Sequence, residues 1–268
     1  MDLNNKVVVV TGAGRGLGRG IAEALASRGA RIVCVDLNED DLRDTVARCA
    51  RAGGEAKSYL ANVAREDEVT ALFDGVVADF GALHGLVNNA GITRDGLLVK
   101  FKDGELQSSM SLQQWQAVID VNLTGVFLCG REAARCMLES GVEEGVIVNI
   151  SGVIAEQNLP GMAAYGASKA AVASFDEALA REARRAKVRV IDARPPHTET
   201  GLADRAIEGQ APRMPEGLSP ETVAKVIAEA IDGDGAVLGL GDGRQLGRVL
   251  RVVAHVGFPK HLHVLACG

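Results

Sequence analysis

KVVVVTGAGRGLG, residues 6–18, is the stretch that decides the fold. Val7 to Val10 form a β-branched run with no helical period, as expected of a central parallel strand covered on both faces. Thr11 then opens a turn carrying Gly12, Gly16 and Gly18, and a helical pattern follows at once. Positions without side chains let the backbone approach a phosphate, and the helix start presents free amide N–H groups and the positive end of its dipole to it. A dinucleotide pyrophosphate is the expected occupant of such a strand–turn–helix. A glycine-rich turn alone is a weak signal, because an ordinary tight turn has the same composition. Here the strand before it and the helix after it supply the context.

Working outward, strand and helix signals alternate without a repeat or a low-complexity linker. The first helix continues over residues 21–28 and Gly29 closes it. RIVCVD, residues 31–36, is the second strand, followed by a polar-faced helix over 38–52. Further strands are expected at 56–61, 84–87, 145–151, 188–193 and 236–240. Helices are expected at 65–80, 111–140, 162–187 and 220–231, and the polar piece 100–109 reads as a surface excursion. The pattern predicts a doubly wound, Rossmann-like parallel sheet of seven strands flanked by helices, in a single α/β domain over 1–243 with a C-terminal tail at 244–268. Ligands of such sheets sit beyond the carboxyl ends of the strands. Asp36, Asn62, Asn89, Gly152 and Pro195 all fall there and are expected to line one site.

Composition agrees. At 268 residues, 47% hydrophobic but only 3% aromatic, the core is built from Val, Leu, Ala and Ile. A net charge of −6 without a basic run argues against nucleic acid as a partner. No segment approaches the ~18 apolar residues of a membrane span. The five cysteines (34, 49, 129, 136 and 267) lack disulfide or metal spacing, which predicts a reduced, cytoplasmic setting and no metal. His261, His263 and Cys267 cluster near the chain end, and a tail reading outweighs a metal site. In the tail, Leu246, Val249, Leu250 and Val253 recur at helical spacing between Arg244, Arg248 and Arg251, which suggests a helix docked on this domain or on a neighbouring subunit. Arg205 and Arg213, in the loop after Pro195-Pro196, are candidates for an anionic group, with solvated loop arginines the plainer reading.

Tyr165-Gly-Ala-Ser-Lys169 is the second informative stretch. On a helix, residues four apart share a face, so the phenol and the ammonium project side by side. A cation beside a phenol favours the phenolate and suits it for proton transfer. Together with Thr11-Gly-x-x-x-Gly-x-Gly18, Asn88-Asn-Ala-Gly91 and Asn122 within VNLTGVF, the chain resembles the short-chain dehydrogenase/reductase family over residues 6–243. NNAGITRDGLL is similar to the bacterial 3-oxoacyl thioester reductases.

The resemblance implies an NAD(P)-dependent oxidoreductase acting on a small ketone or secondary alcohol. It implies that Tyr165 protonates the substrate oxygen, Lys169 holds the nicotinamide ribose, and Asn122 anchors a water through a local distortion of its helix. It places Gly12, Arg15, Gly16, Leu17, Gly18, Asp36, Leu37, Asn62, Val63, Asn89, Ala90, Gly91, Pro195 and Thr198 around the cofactor, and it implies a homotetramer or dimer. Asp36 at the end of the second strand favours NAD, since a carboxylate accepts from ribose hydroxyls and repels a 2′-phosphate. Arg15 points the other way, toward NADP.

The pattern breaks at one place. The family's serine, thirteen residues before the tyrosine, is Gly152 here. Ser151 lies one residue earlier, and alternation along a strand turns it away. A lost donor of that kind costs about 10²–10³ in rate. Two readings therefore stand: an oxidoreductase in which water, Ser151 or the substrate replaces the hydroxyl, or a weakened NAD(H)-binding protein with a regulatory or assembly role. Asn62 in place of an aspartate and Pro196 in place of a glycine are milder departures.

Overall fold

The computed structural model describes residues 1–94, 96–157, 159–202 and 216–233, together with the backbone of 239–240 and 250–255. In chain order the strands are β1 (Val7–Thr11), β2 (Arg31–Asp36), β3 (Ala56–Leu60), β4 (Gly85–Asn88), β5 (Val99–Lys102), β6 (Glu105–Ser109), β7 (Gly145–Ile150), β8 (Val188–Arg194), β9 (Gly239–Leu240) and β10 (Leu250–His255). The α-helices are α1 (Gly16–Ala26), α2 (Glu39–Arg51), α3 (Glu66–Phe80), α4 (Leu112–Ile119), α5 (Gly125–Glu139), α6 (Ala163–Ala183) and α7 (Pro220–Asp232).

The main sheet runs β3-β2-β1-β4-β7-β8-β10-β9. Its first six strands are parallel, as expected of a doubly wound α/β fold. Among the described residues, no seventh parallel strand follows them. Its place beside β8 is taken by β10, which runs antiparallel to β8 (Val253 opposite Asp192), and the short β9 pairs antiparallel with β10. Over 250–255 the tail's helical spacing is thus overridden: the open edge of β8 offers unpaired backbone groups, and the stretch around the β-branched Val252-Val253 pairs with it instead of coiling.

Burial explains the layers. β1, β4 and β7 are buried at every residue, so they carry continuous apolar runs. Successive side chains of β1 serve opposite cores. Val8 and Val10 join Ile21 and Leu25 of α1 and Val223 and Ile227 of α7, whereas Val7 and Val9 join Phe73 of α3 and Leu128 and Met137 of α5. Local signals fix the helix starts. Asn38 caps α2 by accepting from the Asp41 amide, Ser111 and Gln114 form a capping box on α4, and Ser219 caps α7 with Pro220 in its first turn.

The excursion at 99–109 is a two-stranded antiparallel ribbon, β5–β6, outside the main sheet and exposed along its length. Asp103 and Gly104 both have positive φ at its tip, the requirement of a two-residue hairpin turn. Residues 236–238, Arg205, Arg213, Arg244, Leu246, Arg248, Val249, His261, His263 and Cys267 lie outside the described residues. Among the described residues, no helix is long and apolar enough to cross a membrane, and no His/Cys/Asp/Glu group could hold a metal.

Candidate active site

The sheet order reverses direction between β1 and β4, and a cleft of about 630 Å³ opens at the carboxyl ends of the strands there. Of the expected site residues, Gly12, Arg15, Gly16, Leu17, Asp36, Leu37, Asn62, Val63, Asn89, Ala90, Gly91, Tyr165, Lys169, Pro195 and Thr198 line it. Gly18 and Asn122 stand behind its wall. A Cβ on Gly18 would lie 2.1 Å from the Gly12 carbonyl oxygen, so Gly18 lets α1 pack directly on the turn. Thr11 ties the turn to the next strand end. Its hydroxyl donates to the Val87 carbonyl and accepts from the amides of Asn89 and Ala90, while Asn89 Nδ2 donates to the carbonyls of Thr11 and Gly12.

The residues fit a dinucleotide at both ends of this turn. α1 begins without a side-chain cap, since Arg15 at that position makes no capping bond, so its own cap residue leaves the first-turn amides beside the cleft to other acceptors. An anionic pyrophosphate satisfies such donors. Asp36 at the cleft margin is held by the amides of Gly14 (2.9 Å, to Oδ2) and Leu37 (2.7 Å, to Oδ1), which fixes its carboxylate at the end of β2. Asn62 keeps its side-chain oxygen on the Ala64 amide, Thr198 donates to the Pro196 carbonyl, and Arg15 is exposed.

Tyr165 and Lys169 share one face of α6, with Lys169 Nζ 5.7 Å from the centre of the tyrosine ring. Lys169 is buried and donates to the Ile150 carbonyl at 2.7 Å. Burial pushes its ammonium down to about 8, against the opposing pull of Asp192 and Asp176. Asn122 sits in a π turn, Asp120–Thr124, between α4 and α5, which is the helix distortion the family resemblance implies. The wider turn aims its side chain inward. Oδ1 accepts from the Ile92 amide, and Nδ2 donates to the Ile92 carbonyl and Ser168 Oγ.

Gly152 adopts φ +78°, and the amides of Ser151, Gly152 and Val153 all donate to the backbone of Ala193 or Pro195. The Ser151 hydroxyl donates to Asp192, so no hydroxyl from this segment is directed at the cleft. Polar residues that the motifs did not single out also line it, among them Thr93, Gln157, His197 and Thr200. The only signal for His197 was its place two residues beyond a strand-ending proline. Apolar side chains also line the cleft, among them Ile154, Leu159, Met162 and Leu202.

Comparison with known proteins agrees with this geometry. Residues 6–211 match the short chain dehydrogenase family. The chain is 42% identical over 181 residues to a 3-oxoacyl-(acyl-carrier-protein) reductase of Synechocystis sp., covering 67% of this chain and 69% of that protein. It is 35% identical over 233 residues to the 3-oxoacyl-(acyl-carrier-protein) reductase FabG of Thermotoga maritima, covering 85% and 90%. Among solved structures, a short chain dehydrogenase/reductase from Burkholderia phymatum in complex with NAD superposes with a TM-score of 0.75 at 32% identity over 86% of this chain and 87% of that one. A metagenomic short-chain oxidoreductase in complex with NADP gives 0.71 at 31% identity over 88% and 94%.

Proposed function

We propose that this chain, which belongs to the short-chain dehydrogenase family, is a carbonyl reductase and alcohol dehydrogenase that works through Tyr165 and Lys169 and prefers NAD(H). Its broad class follows from the family: an NAD(P)-dependent oxidoreductase acting between CH–OH and ketone groups. The observation that carries the finer reading is the pairing on α6, a phenol facing the cleft with a buried ammonium 5.7 Å from its ring.

When bound, the nicotinamide cofactor supplies or accepts the hydride. The Tyr165 hydroxyl gives its proton to the substrate oxygen in reduction and takes it back in oxidation. Lys169 favours the phenolate by its charge, and its bond to Ile150 holds that charge in place. Asn122, by clamping both backbone groups of Ile92, fixes the loop that follows Asn89-Ala90-Gly91. Asp36, pinned by two amides, presents a carboxylate where a ribose hydroxyl would donate and a 2′-phosphate would be repelled. The apolar part of the lining, and relatives named 3-oxoacyl-(acyl-carrier-protein) reductases, support an acyl-type ketone such as a 3-oxoacyl thioester as substrate.

Steady-state comparison of NADH with NADPH on a panel of ketones and 3-oxoacyl thioesters tests this. We expect kcat/KM to favour NADH by more than tenfold, Asp36→Ala to erase most of that preference, and Tyr165→Phe to lose about 10²–10⁴ in kcat. A tenfold preference for NADPH overturns the cofactor assignment. The second reading, a cofactor-binding protein with little turnover, is favoured by the glycine at 152 and the engaged hydroxyl of Ser151. NADH binding by calorimetry with no turnover on the whole panel would select it.

A further inference from the structure

We propose that Asp192 is a positioning residue for this chemistry: its buried carboxylate, held between Ser151 and Arg194, supplies the negative charge against which the Lys169 ammonium is kept beneath Tyr165. The inference rests on the roles of Tyr165 and Lys169 proposed above. It starts from the sheet register. Asn88 is opposite Asn149, and Asn149 is opposite Asp192, so three polar side chains form one row across β4, β7 and β8. Opposed residues of parallel strands project to the same face. There the row meets α6, on which Lys169 and Asp176 stand seven residues apart and share one helix face.

Hydrogen bonds tie the row into two groups, one running from Asn88 through Asn149 to Asp176 and the other centred on Asp192. Asn88 Nδ2 donates to Asn149 Oδ1 at 2.8 Å, and Asn149 Nδ2 donates to Asp176 Oδ1. Asp192 takes the Ser151 hydroxyl on Oδ1 and Arg194 Nε on Oδ2 at 2.7 Å, and Arg194 reaches on to Glu156. Asp176 and Asp192 are both fully buried.

A buried ammonium is costly without counter-charge, and a single carbonyl acceptor supplies only a dipole. Among the described residues, the charged and titratable groups around Lys169 are few. From its own helix they are Tyr165 and Asp176. From β8 there is Asp192, with Arg194 and then Glu156 paired behind it. β7 and the π turn offer only neutral groups: the Ile150 carbonyl, Ser151 and Asn122. Burial pushes the Asp176 carboxyl up to about 8, so at neutral pH it holds its proton and brings little charge. Asp192 is tied to the lysine's anchor by geometry: it takes the hydroxyl of Ser151, the residue after Ile150 whose carbonyl accepts from Lys169, and its other oxygen pairs with Arg194 at 2.7 Å.

A purely structural ion pair between Asp192 and Arg194 would stabilise the strand end and leave the lysine indifferent. Removing a nearby negative charge instead lowers the proton affinity of Lys169 and Tyr165 alike, and removing the positive charge of Arg194 raises it. The test is an NMR titration of the lysine ε-carbons, with the Lys169 resonance assigned by its loss in Lys169→Arg, on the intact protein without substrate. We expect the midpoint to fall by about one pH unit in Asp192→Asn, to rise in Arg194→Gln, and to stay in place in Ser151→Ala, which alters a contact of Asp192 without altering charge. The alkaline limb of carbonyl reduction should move in the same sense as the midpoint. Midpoints that stay put in the charge variants overturn the proposal, and Arg194→Gln decides it alone if Asp192→Asn does not fold. Shifted midpoints without turnover in any form would sink the enzymatic reading but leave the charge coupling standing. Turnover with unmoved midpoints would do the reverse.

Discussion

At Gly152 steric space and backbone conformation pull in opposite directions. A Cβ there would meet the Pro195 carbonyl oxygen at 3.6 Å and Ile154 Cγ2 at 3.8 Å, both ordinary contacts, so a serine side chain has room. The backbone is at φ +78°, a conformation that any L side chain resists at a cost of about 1–3 kcal/mol. Gly152→Ala and Gly152→Ser should therefore lose that stability together, seen as equal shifts of the urea midpoint. Because the pair differs only in the hydroxyl, their turnover ratio isolates it. We expect the serine variant to exceed the alanine variant by up to about 10²-fold. Equal turnover would mean that a hydroxyl at 152 does not reach the reacting oxygen. From the sequence alone, the missing serine was legible and the strained backbone was not, because φ at this position depends on three consecutive amides bonding to the backbone of the neighbouring strand.

The first strand, turn and helix were legible because each residue type there answers one demand, either burial on both faces or close backbone approach. Gly18 is the sharpest case. Its missing side chain leaves only 2.1 Å between a notional Cβ and the Gly12 carbonyl oxygen, and 2.5 Å to Asn89 Nδ2. Gly18→Ala should push α1 off the turn and disturb the Asn89 bonds. We expect at least a tenfold loss of NADH affinity by calorimetry and a lower melting temperature, and unchanged affinity would refute the proposed role of this turn. Other elements were harder to read. The ribbon's tip, Lys102-Asp103-Gly104-Glu105, does carry an Asp-Gly hairpin signal, but its polar flanks obscure any alternation. The strand at 250–255 was masked by a helical spacing that is real in the sequence. Only the free edge of β8, a tertiary fact, decides between the two.

Across the whole molecule, the cofactor side of the site was readable because its residues fall at strand ends, whereas the acids beneath it were not. Asp176 reads as one more polar position on a long helix and Asp192 as an interruption of an apolar strand. Sheet register puts Asp192 on the face that α6 covers, and helix spacing puts Asp176 on the same side of α6 as Lys169. This burial has a consequence for stability. The folded state holds the Asp176 proton up to about 8, while an unfolded chain releases it in the ordinary carboxylate range. Between those limits the folded protein binds the extra proton, so this residue's contribution to stability is full at low pH and falls as pH rises, by up to ~1.4 kcal/mol per unit. Lys169 acts in the opposite sense above about 8, where the folded state has released a proton that the unfolded chain still holds. In Asp176→Asn the amide oxygen can still accept from Asn149, and the titration is gone. Urea midpoints measured at about pH 5 and about pH 8 should therefore fall less with rising pH in the variant than in the parent, so that the variant gains relative stability toward the alkaline end. Parallel pH dependences in the two proteins would show that Asp176 loses its proton as readily in the folded state as in the unfolded chain.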